Sequence, residues 1–199
     1  MDRAFSRPAT KPSDAKRLAS TQPSGHSGAH LSARGDAGRT AWFSQYRLSM
    51  SDFEVAADLV FNRGPIADPE AFARAANAES WIFLCGEEFA AMDVGMSYDQ
   101  VQAAVAQSTN IVADPPRPFD LDTARLVVDA IDRMPRPTLV TCRAGPRSSA
   151  AVYLYSGLQA GASPEQVLAR ADADEAPFAT HDEYREVVRR GLEELRSET

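Results

Sequence analysis

Thr138-Leu139-Val140-Thr141-Cys142-Arg143-Ala144-Gly145-Pro146-Arg147-Ser148-Ser149-Ala150 reads as a buried strand, a tight loop opening on a cysteine, and the start of a helix. A free cysteine titrates near pH ~8.5, and a helix N-terminus, surrounding backbone N–H groups and nearby guanidinium groups all favour its thiolate. Cys142 has all three within reach of its own loop. Gly145 can adopt the positive φ that curls the loop into a nest of N–H donors. Arg147 offers a planar fork to two oxygens of an oxyanion, which a lysine does not. Ser148 is placed either to donate its hydroxyl to the sulfur or to serve as the helix N-cap. We therefore expect Cys142 to be a nucleophile, with Arg143, Ala144, Gly145, Arg147 and Ser148 cradling an anion. The alternative is a small, inert, buried cysteine at a strand end. One glycine, two arginines and two serines in the next seven positions outweigh it.

Composition frames this motif. A chain of 199 residues, 44% hydrophobic and 25% charged, can bury one good core. No apolar run approaches the ~18–20 residues needed for a membrane span. Net charge is −7, and its distribution is uneven: residues 1–50 carry eight Lys/Arg against three Asp/Glu, so the remainder is strongly acidic. An acidic body with a basic tail does not suit a nucleic-acid binder. Two cysteines make no disulfide framework, so a reducing compartment, by default the cytoplasm, is expected. Residues 1–48 are rich in Ser, Ala, Gly, Pro and Arg without apolar periodicity, and are expected to be a disordered tail. Their Arg- and Ser-rich composition also fits an organelle transit peptide, although Asp2, Asp14 and Asp36 weaken that reading. Met50, ahead of Ser51-Asp52-Phe53, is an alternative start.

Residues 49–199 read as one α/β domain. Strands are expected over 58–61, 80–84 and 109–112, besides the one that leads to Cys142. Asp68-Pro69 opens a helix to about residue 76, and Ser97 with Gln100 forms a capping box for a helix to about residue 107. Apolar residues at helical spacing mark 121–134. Helices then follow over 149–159, ended by Gly161, from Ser163 onward, and over 182–196. Strands alternating with helices imply a mainly parallel central sheet flanked by helices, with the site outside the carboxyl ends of its strands. Cys142 lies at such an end.

At Cys142-Arg143-Ala144-Gly145-Pro146-Arg147-Ser148 the chain resembles the beta-lactamase-hydrolase-like phosphatase domains, within the protein tyrosine and dual-specificity phosphatase superfamily. The resemblance extends over roughly 130 residues, through Asp58-Leu59-Val60-Phe61-Asn62-Arg63-Gly64-Pro65, the Trp81-Ile82-Phe83-Leu84 strand and Gly161-Ala162-Ser163-Pro164-Glu165-Gln166-Val167. It implies a metal-free, cofactor-free hydrolase acting on a phosphorylated small molecule or protein. Four residues separate Cys142 from Arg147, where ordinary superfamily members have five. Four is also the spacing of rhodanese sulfurtransferases, but the Gly-Gly and Trp segment usual after their loop is missing here. Three departures weigh against turnover: Thr141 stands where many relatives have His, Pro146 supplies no N–H, and the shorter loop encloses less space.

Phosphoryl transfer through Cys142 needs a proton donor for the leaving oxygen. Asp114, in Ile111-Val112-Ala113-Asp114-Pro115-Pro116 and 28 residues before Cys142, lies close to where the resemblance places the acid. Asp120 is the rival, although it also suits the N-cap of the following helix. Cys85 resembles the protective partner cysteine of phosphatase-and-tensin-type lipid phosphatases, which makes it a candidate redox partner; a core cysteine is the plainer reading. His26, His30 and His181 form no cluster in the sequence, and Glu87-Glu88 reads as a solvated pair. Three functions stay open: a cysteine-dependent phosphatase, a sulfurtransferase using a Cys142 persulfide, and a non-catalytic oxyanion-binding module.

Overall fold

The computed structural model describes residues 53–115 and 117–198. The expectations for residues 1–48, and the boundary at 49, lie outside them. A four-stranded sheet, parallel throughout, forms the centre: β1 (Leu59–Phe61), β2 (Ser80–Phe83), β3 (Gln107–Asn110) and β4 (Thr138–Thr141), in the order β1-β4-β2-β3. β2 and β4 are buried along their whole length, as expected of inner strands covered by helices on both faces. Thr138 pairs with Leu59 on one side and Ser80 on the other, which places β4 between β1 and β2.

β3 begins two residues before the expected 109–112, because its register against β2 sets Gln107 beside Ser80. As an edge strand it tolerates the polar run Gln-Ser-Thr-Asn, whereas the apolar Ile111-Val112 that drew the sequence reading continues the ladder more loosely. Ile111 N–H donates to Phe83 O at 2.9 Å, Ala113 N–H to Leu84 O at 3.0 Å, and Leu84 N–H to Thr141 O at 2.8 Å. These bonds hold three neighbouring strand ends together at the point where Cys85, Asp114 and Cys142 follow.

Helices pack on both faces. α1 (Pro69–Ala75) is capped by Asp68, and α2 (Tyr98–Ala104) by the Ser97/Gln100 box. α2 stops short of residue 107 because Val105 is already extended on its way into β3. α3 (Leu121–Arg133) buries Ala124, Val127, Ala130 and Ile131. α4 (Pro146–Ala160) starts three residues before the expected 149, and Arg147 to Gly157 are all buried. Its N-cap is Gly145, at φ 116°, so Ser148 is not the cap; Pro146 fills the first helical position, where an N–H has no intrahelical use. Gly161, left-handed at φ 62°, ends α4 as expected. α5 (Pro164–Ala173) has the Ser163/Gln166 capping box, and α6 (Asp182–Glu194) gives way to a 3-10 turn, Leu195–Glu198, where a continuous helix to 196 was expected. Among the described residues no helix is long and apolar enough to cross a membrane.

Candidate active site

The cysteine loop joins the central strand to the most buried helix. Cys142 is buried, and its sulfur receives the Gly145 N–H at 3.2 Å and the Ser148 hydroxyl at 3.6 Å. Ser148 Oγ also reaches Asn62 Oδ1 and the Gly145 carbonyl, each at 2.9 Å, so its single proton is shared among three acceptors. The N–H groups of Arg147 and Ser148 lie in the first turn of α4 and have no intrahelical acceptor, which leaves them for an anion beside the sulfur. Arg143 and Ala144 are exposed on the rim, and Gly145 is buried. Thr141, in the place of the expected histidine, is committed elsewhere: its hydroxyl accepts the Trp81 indole N–H at 2.7 Å.

Asn62 is the support that sequence reasoning left without a role. It follows β1 and is 2% exposed. Its amide donates to Cys142 O and Gly64 O, each at 2.8 Å, and accepts from Cys142 N–H at 3.1 Å and from Ser148. All of its bonding capacity goes into holding the loop against β1. Asn62→Asp keeps the volume, removes both donated bonds and sets an anion beside Cys142. The acid limb of the kcat/KM profile for an aryl phosphate is then expected to move up by about one pH unit, roughly tenfold in rate below it; a pH-rate series checks this.

Arg147 lies beneath the loop, mostly buried. Its Nη1 donates to Ala113 O at 2.6 Å and pairs with Asp114 Oδ1. Burial alone works against its charge, but the facing Cys142 and Asp114 more than offset this and lift its proton affinity above the ordinary arginine range. Asp114, also buried, takes the Gly86 N–H at 3.3 Å on its other oxygen. Cys85 is buried on the same side. Burial pushes its thiol well above the usual range, and the neighbouring Asp114 and Cys142 push it further. Cys85 is therefore a protonated thiol. Tyr184 on α6 completes the surroundings: burial raises its phenol, Arg147 and Cys142 both act on it, and its ring meets Phe119 edge-on at 6.1 Å.

Asp120 is exposed and caps α3 by accepting Thr123 N–H at 2.9 Å, a bond that holds its carboxyl below the usual carboxylate range. Asp120→Asn is expected to leave turnover of an aryl phosphate unchanged, while Asp120→Ala costs about 1 kcal/mol of stability on thermal melting. Glu88 pairs with Arg117 and Glu87 is exposed, in keeping with a solvated pair. His181, also exposed, lies beside Tyr184 with the ring planes tilted by 50° and the centroids 5.6 Å apart. Among the described residues, no group of His, Cys, Asp and Glu is arranged to hold a metal ion.

No family model matches this chain, and neither does any curated protein. Solved structures do. A mutant form of Tk-PTP superposes with a TM-score of 0.57 at 18% identity, covering 74% of this chain and 97% of that one. PTPMT1 gives 0.52 at 17%, covering 73% and 96%, and the DUF442 protein of Shewanella putrefaciens CN-32 gives 0.51 at 18%, covering 68% and 87%. The chain has the protein tyrosine phosphatase-like fold. Within this phosphatase-like fold, β4, the cysteine loop and α4 form a contiguous strand-loop-helix unit.

Proposed function

We propose that this chain is a cysteine-dependent phosphatase of the beta-lactamase-hydrolase-like kind, acting on phosphomonoesters through a cysteinyl-phosphate. The observation that carries the reading is the convergence of the Gly145 N–H, the Ser148 hydroxyl and the start of α4 on the Cys142 sulfur, with Arg147 alongside. In this mechanism Cys142 attacks phosphorus while Arg147 and the loop N–H groups hold the non-bridging oxygens. The leaving oxygen departs with a proton from Asp114, and water hydrolyses the thiophosphate ester. A cleft of about 160 Å³ beside Asp114 is lined by Phe89, Met92 and Pro115, with Glu88 and Arg143 at its edge. Apolar cavities of about 150 Å³ hold a benzene ring, so an aryl-sized leaving group suits this one. Cys85 supports a protective role as well. If peroxide oxidises Cys142 to the sulfenic acid, the Cys85 thiol can displace water to give a disulfide, since the two cysteines directly follow neighbouring, paired strand ends.

The test mixes the full chain separately with an aryl phosphate and with thiosulfate, follows turnover of each, and measures the mass of the Cys142 peptide after rapid quenching. A phosphoryl adduct and phosphate release support the reading. A persulfide with thiocyanate formation on adding cyanide marks a sulfurtransferase instead. Neither adduct, with Arg147-dependent anion binding retained, marks a non-catalytic module.

A further inference from the structure

Two groups that the proposed mechanism needs are occupied with each other. As held here, Arg147 commits Nη1 to the Ala113 carbonyl and to Asp114, and the Oδ1 of Asp114 is taken up by that ion pair. Both side chains are almost wholly buried, which makes the pairing costly to leave half-broken. We propose that an oxyanion entering the loop takes Arg147 from Asp114, and that Asp114 thereupon accepts one proton from solvent and becomes the acid. The inference rests on the phosphatase reading above and deepens it: substrate binding itself loads the proton that the leaving group consumes.

The charge balance favours this exchange. In the ion pair, Arg147 is the cation that faces Asp114. A tetrahedral dianion placed against Arg147 leaves the buried carboxylate without its cation and facing added negative charge, and protonation relieves both. The other titratable groups around Asp114 are poorly suited to take that proton. Cys85, after β2, is already a thiol, and Tyr184, on α6, is already a phenol, both raised first by burial. Glu88 across the cleft is half-exposed and tied to Arg117. Arg143 on the rim is a cation, and His181 lies beyond Tyr184 on the exposed side. Cys142 itself faces Arg147 and must be removed from the measurement. Asp114 also keeps an anchor after Arg147 leaves, the Gly86 N–H, so it stays at the mouth of the cleft that would hold the leaving group.

Sulfate is the probe, because it is a tetrahedral dianion that does not titrate near neutral pH. Full-length Cys142→Ser, in which no thiol at that position can titrate, is titrated with sulfate by calorimetry in buffers of differing ionisation enthalpy. Uptake of about one proton per bound sulfate is expected. Glu88→Gln in the same background is expected to keep the uptake. Asp114→Asn in that background is expected to abolish it and to bind sulfate about tenfold more tightly, since a neutral amide competes weakly for Arg147. Sulfate binding without proton uptake, uptake that persists in Asp114→Asn, or no sulfate binding at all overturns the exchange. Turnover of an aryl phosphate by the unmodified chain is measured alongside. Turnover with unlinked sulfate binding sinks the exchange and spares the phosphatase reading, and linked binding without turnover does the reverse.

Discussion

Cys142→Ser is expected to lower kcat/KM for an aryl phosphate by ~10⁴-fold or more, with sulfate affinity kept within about threefold. The asymmetry follows from the site. The Gly145 N–H, the first turn of α4 and Arg147 all remain, and a hydroxyl is close in size to a thiol, so the anion hole survives. What is lost is the sulfur that the proposed mechanism uses as its nucleophile. A serine hydroxyl needs a base to activate it, and the described residues place no imidazole at this position: Thr141 precedes position 142 with its hydroxyl bonded to Trp81, and His181 is exposed beside Tyr184. Phosphate release by the serine variant at a rate near that of the unmodified chain would show that the covalent route is wrong.

Gly145→Ala is expected to cost about 3 kcal/mol, lowering the melting temperature by roughly 6–12 °C, and to remove most activity in whatever remains folded. Gly145 combines φ 116°, which L side chains avoid, with a close approach: a Cβ there would lie 2.4 Å from the Asn62 carbonyl oxygen and 3.1 Å from the Pro177 side chain. The first clash is with backbone, which cannot rotate away. Relief requires the loop to move off β1, and that movement carries the Gly145 N–H away from the sulfur. Thermal melting and aryl phosphate turnover read the two effects separately. An alanine variant with unchanged melting and rate would mean the loop is less constrained than these contacts require.

Much of the architecture was legible because its signals are local. The cysteine loop announced itself through turn chemistry within a few residues, and the caps at Asp68, Ser97, Asp120 and Ser163 are short-range patterns that the structure places where they were read. The strand-helix alternation led to the parallel sheet for the same reason. The edge strand was misplaced because burial, not propensity, decides which residues need be apolar, and its outer face has little to bury. The start of α4 was read late because Pro146 and Arg147 looked like loop, although proline is at home in a first helical turn.

The site was legible only in part. Asn62 is 80 residues from Cys142 in the chain, and nothing local in Phe61-Asn62-Arg63 announces an amide that serves a distant loop. A polar residue directly after an apolar strand, ahead of a glycine-proline turn, was the available hint. Asp114 was singled out by its position, but its pairing with Arg147 and its bond from Gly86 N–H arise from the convergence of three strand ends. Tyr184 was read only as part of an amphipathic helix.

The strand that leads to Cys142 is the last of the four in sequence and sits inside the sheet. Until β4 arrives, β1 has no hydrogen-bonded neighbour, and Asn62 at its end is separated from Cys85 and Asp114 by an open gap the width of one strand. Insertion of residues 138–141 closes that gap and in the same movement brings Cys142 onto Asn62 and Arg147 onto Asp114. Closing the sheet and bracing the cysteine loop are thus one event. A nascent chain halted before residue 138 has its first strand unpaired and lacks both braces.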